Sequence, residues 1–586
     1  MSVKRPITIC ELKQKTCSLT YGSAPCTAAI GTTGSRKCFN TRATCQDLDN
    51  FDETTTTIRF AEPVEGLPLE WNAIPSVQGV SIKSAKINIA GLTAGVSPLG
   101  VRGAATVTLQ EHEGGESIVD PYLADRPWQP RGTFWAKWLA RNNDWSDLGV
   151  DILTGDLGQD LEDMKRRSYF LEEVTGPSGG GKVQLLLRDV LSRVDGRKSQ
   201  APRETDGVLY TGGMTTEQTT AVIELPGAVV NKLDYAQMGA SDTTGLLKIN
   251  DEIVRFTGRN LTWFEPIETN QIQFSGITRG VYGTEVAAHD EGDGVQFGYE
   301  WIDEQPWKVI RDLLVNFAGV PSSWIDDDEW EAEHDRWLLP YNEISGFIID
   351  PEAVEEVIGR IAESCMIYIW TDVEAQRIRL RAVRPVDEEI IDLSDERDIL
   401  ENSISRRVEM SEQTSRASVY YSLKDANEDL NSTKNYRNVR VVQGEQFGQP
   451  RVRTIASQWL KTDAQALQTG RTLVLASGVL PIYVTCDVGA NLVDQIKPGS
   501  VVRLNTRILQ DDIGNRDTAL FLVTEAQETP ARRLKLTMRT IGGFPSIWGW
   551  SDDTADSWPD GQDDGHGYWT DENGLISGVD PRRLWT

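Results

Sequence analysis

The sequence predicts a mixed, mainly β fold (α+β) with several domains. Runs in which apolar and polar residues alternate recur along most of the chain, for example in Val77–Ala90 and Ala105–Leu109. This alternation is typical of strands that bury one face. Helical periodicity is confined to a few short segments. A chain of 586 residues is long enough for about three to five domains, each with its own hydrophobic core.

Turn residues join several predicted strands into hairpins. Tyr169–Val174 and Val183–Leu187 flank a glycine-rich turn, and Asn250-Asp251 divides Leu246–Phe256 in the same way. The later predicted strands are Ile272–Ile277, Ile367–Trp370, Arg377–Val383, Thr414–Ser422, Ile482–Val488, Ser500–Leu504, Ala519–Glu525 and Arg533–Ile541.

Three segments have the pattern of helices. Pro306–Ala318 repeats apolar residues at three- and four-residue steps. A second helix is expected from Asp350, which has the side chain of an N-cap, with Pro351 at the first helical position. The third helix, Asp463–Ser477, is expected to end before Gly478. The sequence thus predicts short helices between strand-rich regions.

The net charge of −29 limits the surfaces with which the chain can interact. Such a chain repels the phosphates of nucleic acids and of anionic membranes, so we expect neither specific nucleic-acid binding nor stable membrane insertion. Residues 1–17 lack the apolar core of a signal peptide, and no run approaches the ~18 apolar residues of a membrane helix. We therefore expect synthesis in a cytosol, where disulfides are disfavoured.

Five of the seven cysteines lie within the first 45 residues, spaced Cys10-x6-Cys17-x8-Cys26-x11-Cys38-x6-Cys45. This spacing lacks the close pairs of most structural zinc sites, and the segment contains no histidine. Four thiolates without imidazole suit an iron–sulfur cluster, which wide, glycine-containing loops could wrap. Spacing alone leaves an iron–sulfur cluster, zinc, disulfides and unbound thiols as alternatives.

Other motifs do not indicate catalysis. Gly176–Lys182 has the spacing of a phosphate-binding loop, but Val183 replaces the required Ser or Thr and a strand follows, so we expect a hairpin tip. The acidic run Asp326–Asp335 is expected to be solvated rather than to bind metal. No histidine lies beside a nucleophile, and no acid pair is singled out for glycoside hydrolysis. We therefore do not expect an enzyme.

The cysteine segment contains two patterned stretches, CSLTYGSAPC (Cys17–Cys26) and KCFNTRATCQD (Lys37–Asp47). They resemble the signature of tail-tip hub proteins from bacteriophages with long non-contractile tails. The x8 and x6 intervals also resemble those of lambda-type minor tail proteins, in which the cluster domain is C-terminal rather than N-terminal. Gly276–Gly292 is similar to an inserted β-domain of phage tail proteins, and Ser500–Leu504 to a strand entry in the second barrel of such hubs.

The resemblance implies that Cys17, Cys26, Cys38 and Cys45 hold an iron–sulfur cluster of the 4Fe-4S type, with zinc as the alternative. Cys10 has no counterpart in the signature. It lies among alternating apolar residues and is expected to be a buried strand residue. A cluster that cross-links loops too short to form a core would have a structural or assembly role.

The resemblance also implies two hub-type β-barrel domains with inserted small α/β and β domains. The predicted divisions are a cysteine-rich iron–sulfur segment (1–60), a first hub barrel (61–202), an inserted β-rich domain (203–300), a mixed α/β hub domain (301–400), a second hub barrel (401–545) and an acidic Trp-rich C-terminal arm (546–586).

The function implied is that of a structural virion protein, a homotrimeric hub of the phage tail tip or baseplate made in the host cytoplasm. Two barrels in each of three chains would present six similar modules to a sixfold tail tube. The hub would contact the distal tail protein ring, the tape-measure protein and a central fibre or receptor-binding protein, and DNA would pass through it. The alternatives are a soluble iron–sulfur oxidoreductase and a tail-associated glycan-binding or glycan-cleaving protein.

Overall fold

The described part of the chain is mainly β, as predicted, with few helices. The computed structural model describes residues 5–93, 96–126, 132–145, 147–196, 199–210, 212–226, 244–262, 269–386, 389–430, 432–442, 450–529, 533–541, 567–568 and 583–584. The chain divides into two compact units: Met1–Ala85, Arg102–Ser192 and Thr371–Arg379 form the first, and Lys86–Val101, Arg193–Trp370 and Leu380–Thr586 form the second. No described helix is long and apolar enough to cross a membrane.

The first unit is built on an eight-stranded sheet. Its strands are β1 (Pro6–Cys17), β2 (Glu53–Ala61), β3 (Ala73–Pro75), β4 (Val77–Lys83), β5 (Ala104–Gln110), β6 (Gly149–Asp156), β7 (Lys165–Thr175) and β8 (Lys182–Arg188). They follow the order β3-β2-β1-β6-β7-β8-β5-β4, in which β2 and β3 are parallel and the other neighbours antiparallel. The predicted cysteine segment therefore contributes β1 to the middle of a larger sheet.

Alternating residues of this sheet bury a large apolar core. Cys10 and Leu12 of β1 and Phe60 of β2 belong to it, together with aromatic residues of helix α1 (Phe134–Arg141). The rings of Phe60 and Trp135 stack with centroids 5.2 Å apart. Burial of one such side chain contributes roughly 1.5–3 kcal/mol to folding. The core therefore holds β1 in place, and with it Cys17, the last residue of the strand.

The second unit contains another eight-stranded sheet, whose core is formed by its own strands. The strands of this region are β9 (Gln200–Ala201), β10 (Gly207–Leu209), β11 (Thr220–Pro226), β12 (Gly245–Ile249), β13 (Glu252–Phe256), β14 (Gly258–Thr262), β15 (Thr269–Ser275), β16 (Gly294–Glu304), β17 (Ile344–Ile348) and β18 (Glu352–Ala353). The order is β13-β12-β16-β10-β11-β15-β14, β17 also pairs with β16, and β9 pairs with β18. The predicted hairpin at Leu246–Phe256 is confirmed, and its turn places Asn250 at φ 51°.

A hairpin and two further sheets follow. Their strands are β19 (Ile367–Asp372), β20 (Arg377–Ala382), β21 (Ile390–Ser394), β22 (Ser405–Val408), β23 (Arg416–Tyr421), β24 (Arg437–Val442), β25 (Val452–Ala456), β26 (Ile482–Val488), β27 (Val501–Gln510), β28 (Arg516–Glu528) and β29 (Leu534–Thr540). The six-stranded sheet has the order β21-β27-β28-β29-β26-β22, and the three-stranded sheet β24-β23-β25. Within the predicted C-terminal arm, only β30 (Gly567–Tyr568) and β31 (Arg583–Leu584) are described, and they pair with each other; the rest of 546–586 lies outside the described residues.

The described α-helices of the second unit are α2 (Pro306–Asp312, continued by a π-helix over Leu313–Phe317), α3 (Asp327–Trp337), α4 (Val354–Ser364) and α5 (Asp463–Ser477). α5 has the predicted bounds, and Thr462 forms a capping box with Gln465. Gly470 lets this helix approach the three-stranded sheet, since a Cβ there would lie 2.7 Å from Val441.

The predicted start of α4 is wrong. The helix begins at Val354 with Ala353 as N-cap, rather than after Asp350. Two tertiary contacts explain the difference. Glu352 and Ala353 pair with β9 as a strand, and Asp350 forms an ion pair with Lys248 at 2.7 Å. Pairing with a distant strand therefore outweighs the local capping signal.

Candidate metal-binding site

The four cysteines of the predicted site line one cavity in the first unit. Cys17, Cys26, Cys38 and Cys45 all contribute to it, and all four are half-buried. The other lining residues also come from the cysteine segment: Leu19, Tyr21, Ala28, Asn40, Thr41, Gln46, Asp47, Asn50 and Phe51. The space between them is about 350 Å³, including the part open to solvent. Folding thus brings together thiols that are spread widely along the segment.

Short backbone elements fix the ends of this segment. Cys17 is the last residue of β1, and its N–H donates to the carbonyl of Asn40 at 3.1 Å. Cys45 follows the single turn Arg42–Thr44, and its N–H donates back to Arg42 at 3.1 Å. The first thiol is therefore anchored on a core strand and the last on a tight turn.

Asp47, two residues after Cys45, links two parts of the cysteine segment through its side chain. Its carboxylate accepts hydrogen bonds from the N–H of Thr27 at 2.6 Å, from the Thr27 hydroxyl at 2.9 Å and from the amide of Asn50 at 3.1 Å. The hydrogen bond from the Thr27 backbone holds the pKa of Asp47 below its usual range. The N–H of Asp47 itself donates to Cys45 Sγ at 3.4 Å. A donor of this kind stabilises negative charge on a sulfur ligand.

Burial raises the pKa of the Cys38 and Cys45 thiols above the usual value for cysteine. The negative charge of neighbouring thiolates adds to the rise, because each disfavours ionisation of the next. These thiols are thus held in the protonated form when no cation is present. A metal that bound here would displace their protons.

The fifth cysteine of the segment lies elsewhere, as predicted. Cys10 is fully buried in β1, within the apolar core and away from the residues that line the cavity. Burial raises the pKa of its thiol far above the usual value. Cys365 and Cys486 are also buried, and all seven cysteines, each within the described residues, are free thiols.

Cationic side chains pack on the ring of Phe39, next to Cys38. The guanidinium carbons of Arg126 and Arg141 lie 4.0 and 4.1 Å from the ring centroid, and that of Arg36 lies 4.9 Å away. Such cation–π contacts contribute roughly 0.5–2 kcal/mol each. Those of Arg126 and Arg141 attach the loop that carries Cys38 to residues outside the cysteine segment.

Tyr122 makes a second attachment. Its hydroxyl accepts a hydrogen bond from the N–H of Tyr21 at 2.8 Å, and the two rings meet edge to face at 6.2 Å. With Ala28 they form a small apolar cluster, against which Cys26 and Cys38 pack. Burial raises the pKa of Tyr122 above its usual value. The core under the cavity therefore consists of few residues.

The donor set is chemically suited to a metal–thiolate group. Four thiols line the cavity without any imidazole among the lining residues, which is a ligand set that both iron–sulfur clusters and structural zinc sites use. Within the described residues, no group of three or more His, Cys, Asp or Glu side chains stands close enough to hold a single metal ion.

Two sequence motifs that were not expected to be functional sites, residues 176–182 and the acidic run Asp326–Asp335, form ordinary secondary structure. Residues 176–181 form the turn between β7 and β8, and Lys182 is the first residue of β8, so the hairpin tip is confirmed. The acidic run forms α3, capped by Asp326, which accepts a hydrogen bond from the N–H of Glu329. None of the carboxylates of the run is buried, as expected, whereas Trp330 and His334 are buried on one face of the helix.

Four residues next to the cysteine loop (residues 17–52) come from elsewhere in the chain, and no sequence pattern identifies them: Asp120, Tyr122, Arg126 and Arg141. They lie about a hundred residues further along and follow no spacing shared with the cysteines. Only the folded first unit brings them to the loop. A buried ion pair within the short stretch from Asp120 to Arg126 leaves no periodic signal.

No protein-family model and no curated protein matches the chain. The solved structures that it resembles include phage tail and baseplate proteins. The tail protein from Neisseria meningitidis MC58 has a TM-score of 0.31 and 11% identity, over 79% of this chain and 96% of that one. The 43 kDa tail protein of prophage MuSo2 from Shewanella oneidensis has a TM-score of 0.35 and 9% identity, over 80% and 99%.

The phage P2 baseplate in its activated conformation with Ca gives a TM-score of 0.21 and 9% identity, over 85% of this chain and 94% of that chain. At TM-scores and identities this low, these likenesses carry no argument about the fold or function of this chain.

Proposed function

We propose that this chain is a structural virion protein, the hub at the distal end of a long non-contractile phage tail, and that it holds an iron–sulfur cluster. The observation that carries the proposal is the cavity lined by Cys17, Cys26, Cys38 and Cys45. These are the four cysteines that match the hub signature, and Cys10, which does not match it, lies in the core instead.

Four thiols that line one cavity suit an iron–sulfur cluster, and zinc, which four thiolates also bind, is the alternative. Cys17, Cys26, Cys38 and Cys45 would hold the cluster, and when bound it would supply four iron–thiolate bonds that cross-link the segment.

The site supports a structural role for the proposed iron–sulfur cluster. Among the described residues, the apolar cluster beneath the cavity has Tyr21, Ala28 and Tyr122 as its buried members, which is little to hold residues 17–52 in place. Bonds from one inorganic centre to four points of the segment would replace the missing core. We therefore propose an assembly function rather than catalysis.

As a hub, the chain would form a homotrimer at the tail tip. It would join the distal tail protein ring, the tape-measure protein and a central fibre or receptor-binding protein. Its net charge of −29 would let DNA pass without adhering to the walls. Closed threefold symmetry would give two barrel domains per chain a sixfold arrangement.

The first test is metal content after anaerobic purification. We expect about four iron and four sulfide per chain, the composition of a 4Fe-4S cluster, and little zinc. Changing Cys17, Cys26, Cys38 or Cys45 singly to Ser should abolish iron binding, because each would remove one ligand. The matched control Cys10→Ser should retain it. Stoichiometric zinc without sulfide, or paired disulfides, would contradict the proposal.

The second test is location and assembly state. Native mass spectrometry should give a trimer, and antibodies against the chain should label the distal end of purified tails. A monomer that reduces electron acceptors with turnover of a small substrate would support the oxidoreductase alternative instead. Release of sugar from host envelopes would support the glycan-cleaving alternative.

A further inference from the structure

We propose that Arg126 and Asp120 form a clamp that positions the Cys38 ligand for the cluster, although neither residue belongs to the cysteine segment. This inference rests on the proposed function, because it concerns the same site. It assigns a role in metal retention to residues that the sequence motif does not include.

The clamp is a buried, bidentate ion pair between Arg126 and Asp120. Nε and Nη2 of Arg126 donate to the two carboxylate oxygens of Asp120, each at 2.9 Å. The side chain of Asp120 is fully buried and that of Arg126 is 4% exposed. The N–H of Tyr122 also donates to Asp120, at 3.1 Å. The guanidinium is therefore held in one orientation.

The same guanidinium binds the cysteine loop. Nη2 donates to the carbonyl of Cys38 at 2.9 Å, and Nη1 donates to the carbonyl of Lys37 at 3.2 Å. Its plane also packs on Phe39, 4.0 Å from the ring centroid. Three consecutive residues of the loop thus contact one side chain, and the middle one is a predicted ligand.

A buried ion pair is a costly way to obtain stability, because desolvation offsets most of the attraction between the charges. Such pairs are better suited to fixing one geometry among several. Here the fixed geometry is that of the loop that presents the Cys38 thiol. Partners of metal ligands act in this way, and their loss commonly lowers metal affinity by about 10–100-fold.

Arg141 provides a matched comparison. It lies 4.1 Å from the same ring of Phe39, and its side chain pairs with Glu116 at 3.0 Å. Its guanidinium has no hydrogen bond to the cysteine loop among the described contacts. It therefore supplies a similar charge near the site without the hydrogen bonds that define the clamp.

The test measures how fast iron is released to an excess of a ferrous chelator from anaerobically purified full-length protein. We expect Arg126→Gln and Asp120→Asn to release iron about tenfold or more faster than wild type. Arg126→Lys should behave like Arg126→Gln, because an ammonium group cannot hold both the carboxylate and two carbonyls in one plane. Arg141→Gln should stay close to wild type.

Far-UV circular dichroism and thermal unfolding of the metal-free variants show whether each variant still folds. Unchanged iron release in folded Arg126→Gln and Asp120→Asn would overturn the clamp, as would full recovery in Arg126→Lys or equal acceleration in Arg141→Gln. If Arg126→Gln does not fold, Asp120→Asn decides by the same criterion. Wild type without iron and sulfide would instead refute the proposed function, so the two failures are distinct.

Discussion

Two loop-rich regions of this molecule, the cysteine loop (residues 17–52) and the arginine loop (residues 276–292), are held in different ways. The arginine loop surrounds Glu252, which is almost fully buried at the start of β13. Arg279 donates to both of its oxygens, at 2.7 and 2.6 Å, and His289 Nε2 lies 2.9 Å away. The N–H groups of Gly280 and Ala287 complete the set at 3.0 Å each.

In the arginine loop, the Glu252 carboxylate and the side chains of Arg279 and His289 occupy the centre. In the cysteine loop, four thiols line one cavity instead. The first loop is thus held by its own side chains and backbone, whereas we propose that the second is cross-linked by a bound iron–sulfur cluster.

Removal of metal should give the largest difference between the two loops. When the anaerobic protein is stripped with a chelator, we expect amide hydrogen exchange in residues 17–52 to accelerate by about tenfold or more, because cross-links are lost. Exchange in residues 276–292 should not change. Equal protection of the cysteine loop with and without metal would show that its own contacts suffice.

Glu252→Gln should destabilise the arginine loop. The change leaves the buried Arg279 without its anionic partner, and we expect the free energy of unfolding of this region to fall by about 3 kcal/mol. Urea unfolding followed by limited proteolysis measures this. The control is Lys248→Gln on neighbouring β12, whose ion-pair partner Asp350 is 74% exposed, so we expect an effect of less than about 1 kcal/mol. Equal effects of the two changes would contradict the comparison.

Acid should loosen the arginine loop through the same carboxylate. Burial alone would raise the pKa of Glu252, but hydrogen bonds from Arg279, Ala287 and His289 outweigh it and lower the pKa to about 2. Since the unfolded value is about 4.3, the stabilisation is complete above that pH and is lost as pH falls toward 2. Unfolding experiments from pH 7 to pH 3 should show a larger loss of stability in wild type than in Glu252→Gln, in which other carboxylates such as Asp151 still titrate. A pH-independent stability would refute it.

We expect the smallest effect, a small change in the rate of iron release, from Asp47→Asn. The amide oxygen can still accept from Thr27, but the negative charge that favours both hydrogen bonds is removed. We expect iron release to change by only about threefold, well below the effect of losing a ligand. Asn50→Ala, which removes one weaker donor to the same carboxylate, is the control. A loss of iron as complete as in Cys45→Ser would make Asp47 a ligand rather than a support.

Much of the fold could be predicted because local patterns are strong in strands. The hairpin of β12 and β13, the bounds of α5 and the burial of Cys10 all follow from alternation, capping and turn residues. The start of α4 could not be predicted, because the pairing of Glu352 with a distant strand is invisible in a local window. The domain boundaries drawn from the sequence stay predictions.

The apolar alternation around Cys10 was enough to predict that it is a buried strand residue, and the resemblance to the hub signature grouped Cys17, Cys26, Cys38 and Cys45, which line one cavity. The contacts that surround this cavity depend on the folded first unit. Arg126 and Asp120 lie outside the pattern, and they reach the Cys38 loop only when the first unit has folded. Local chemistry is encoded within a few residues, whereas the contacts that orient it depend on chain segments that meet in space.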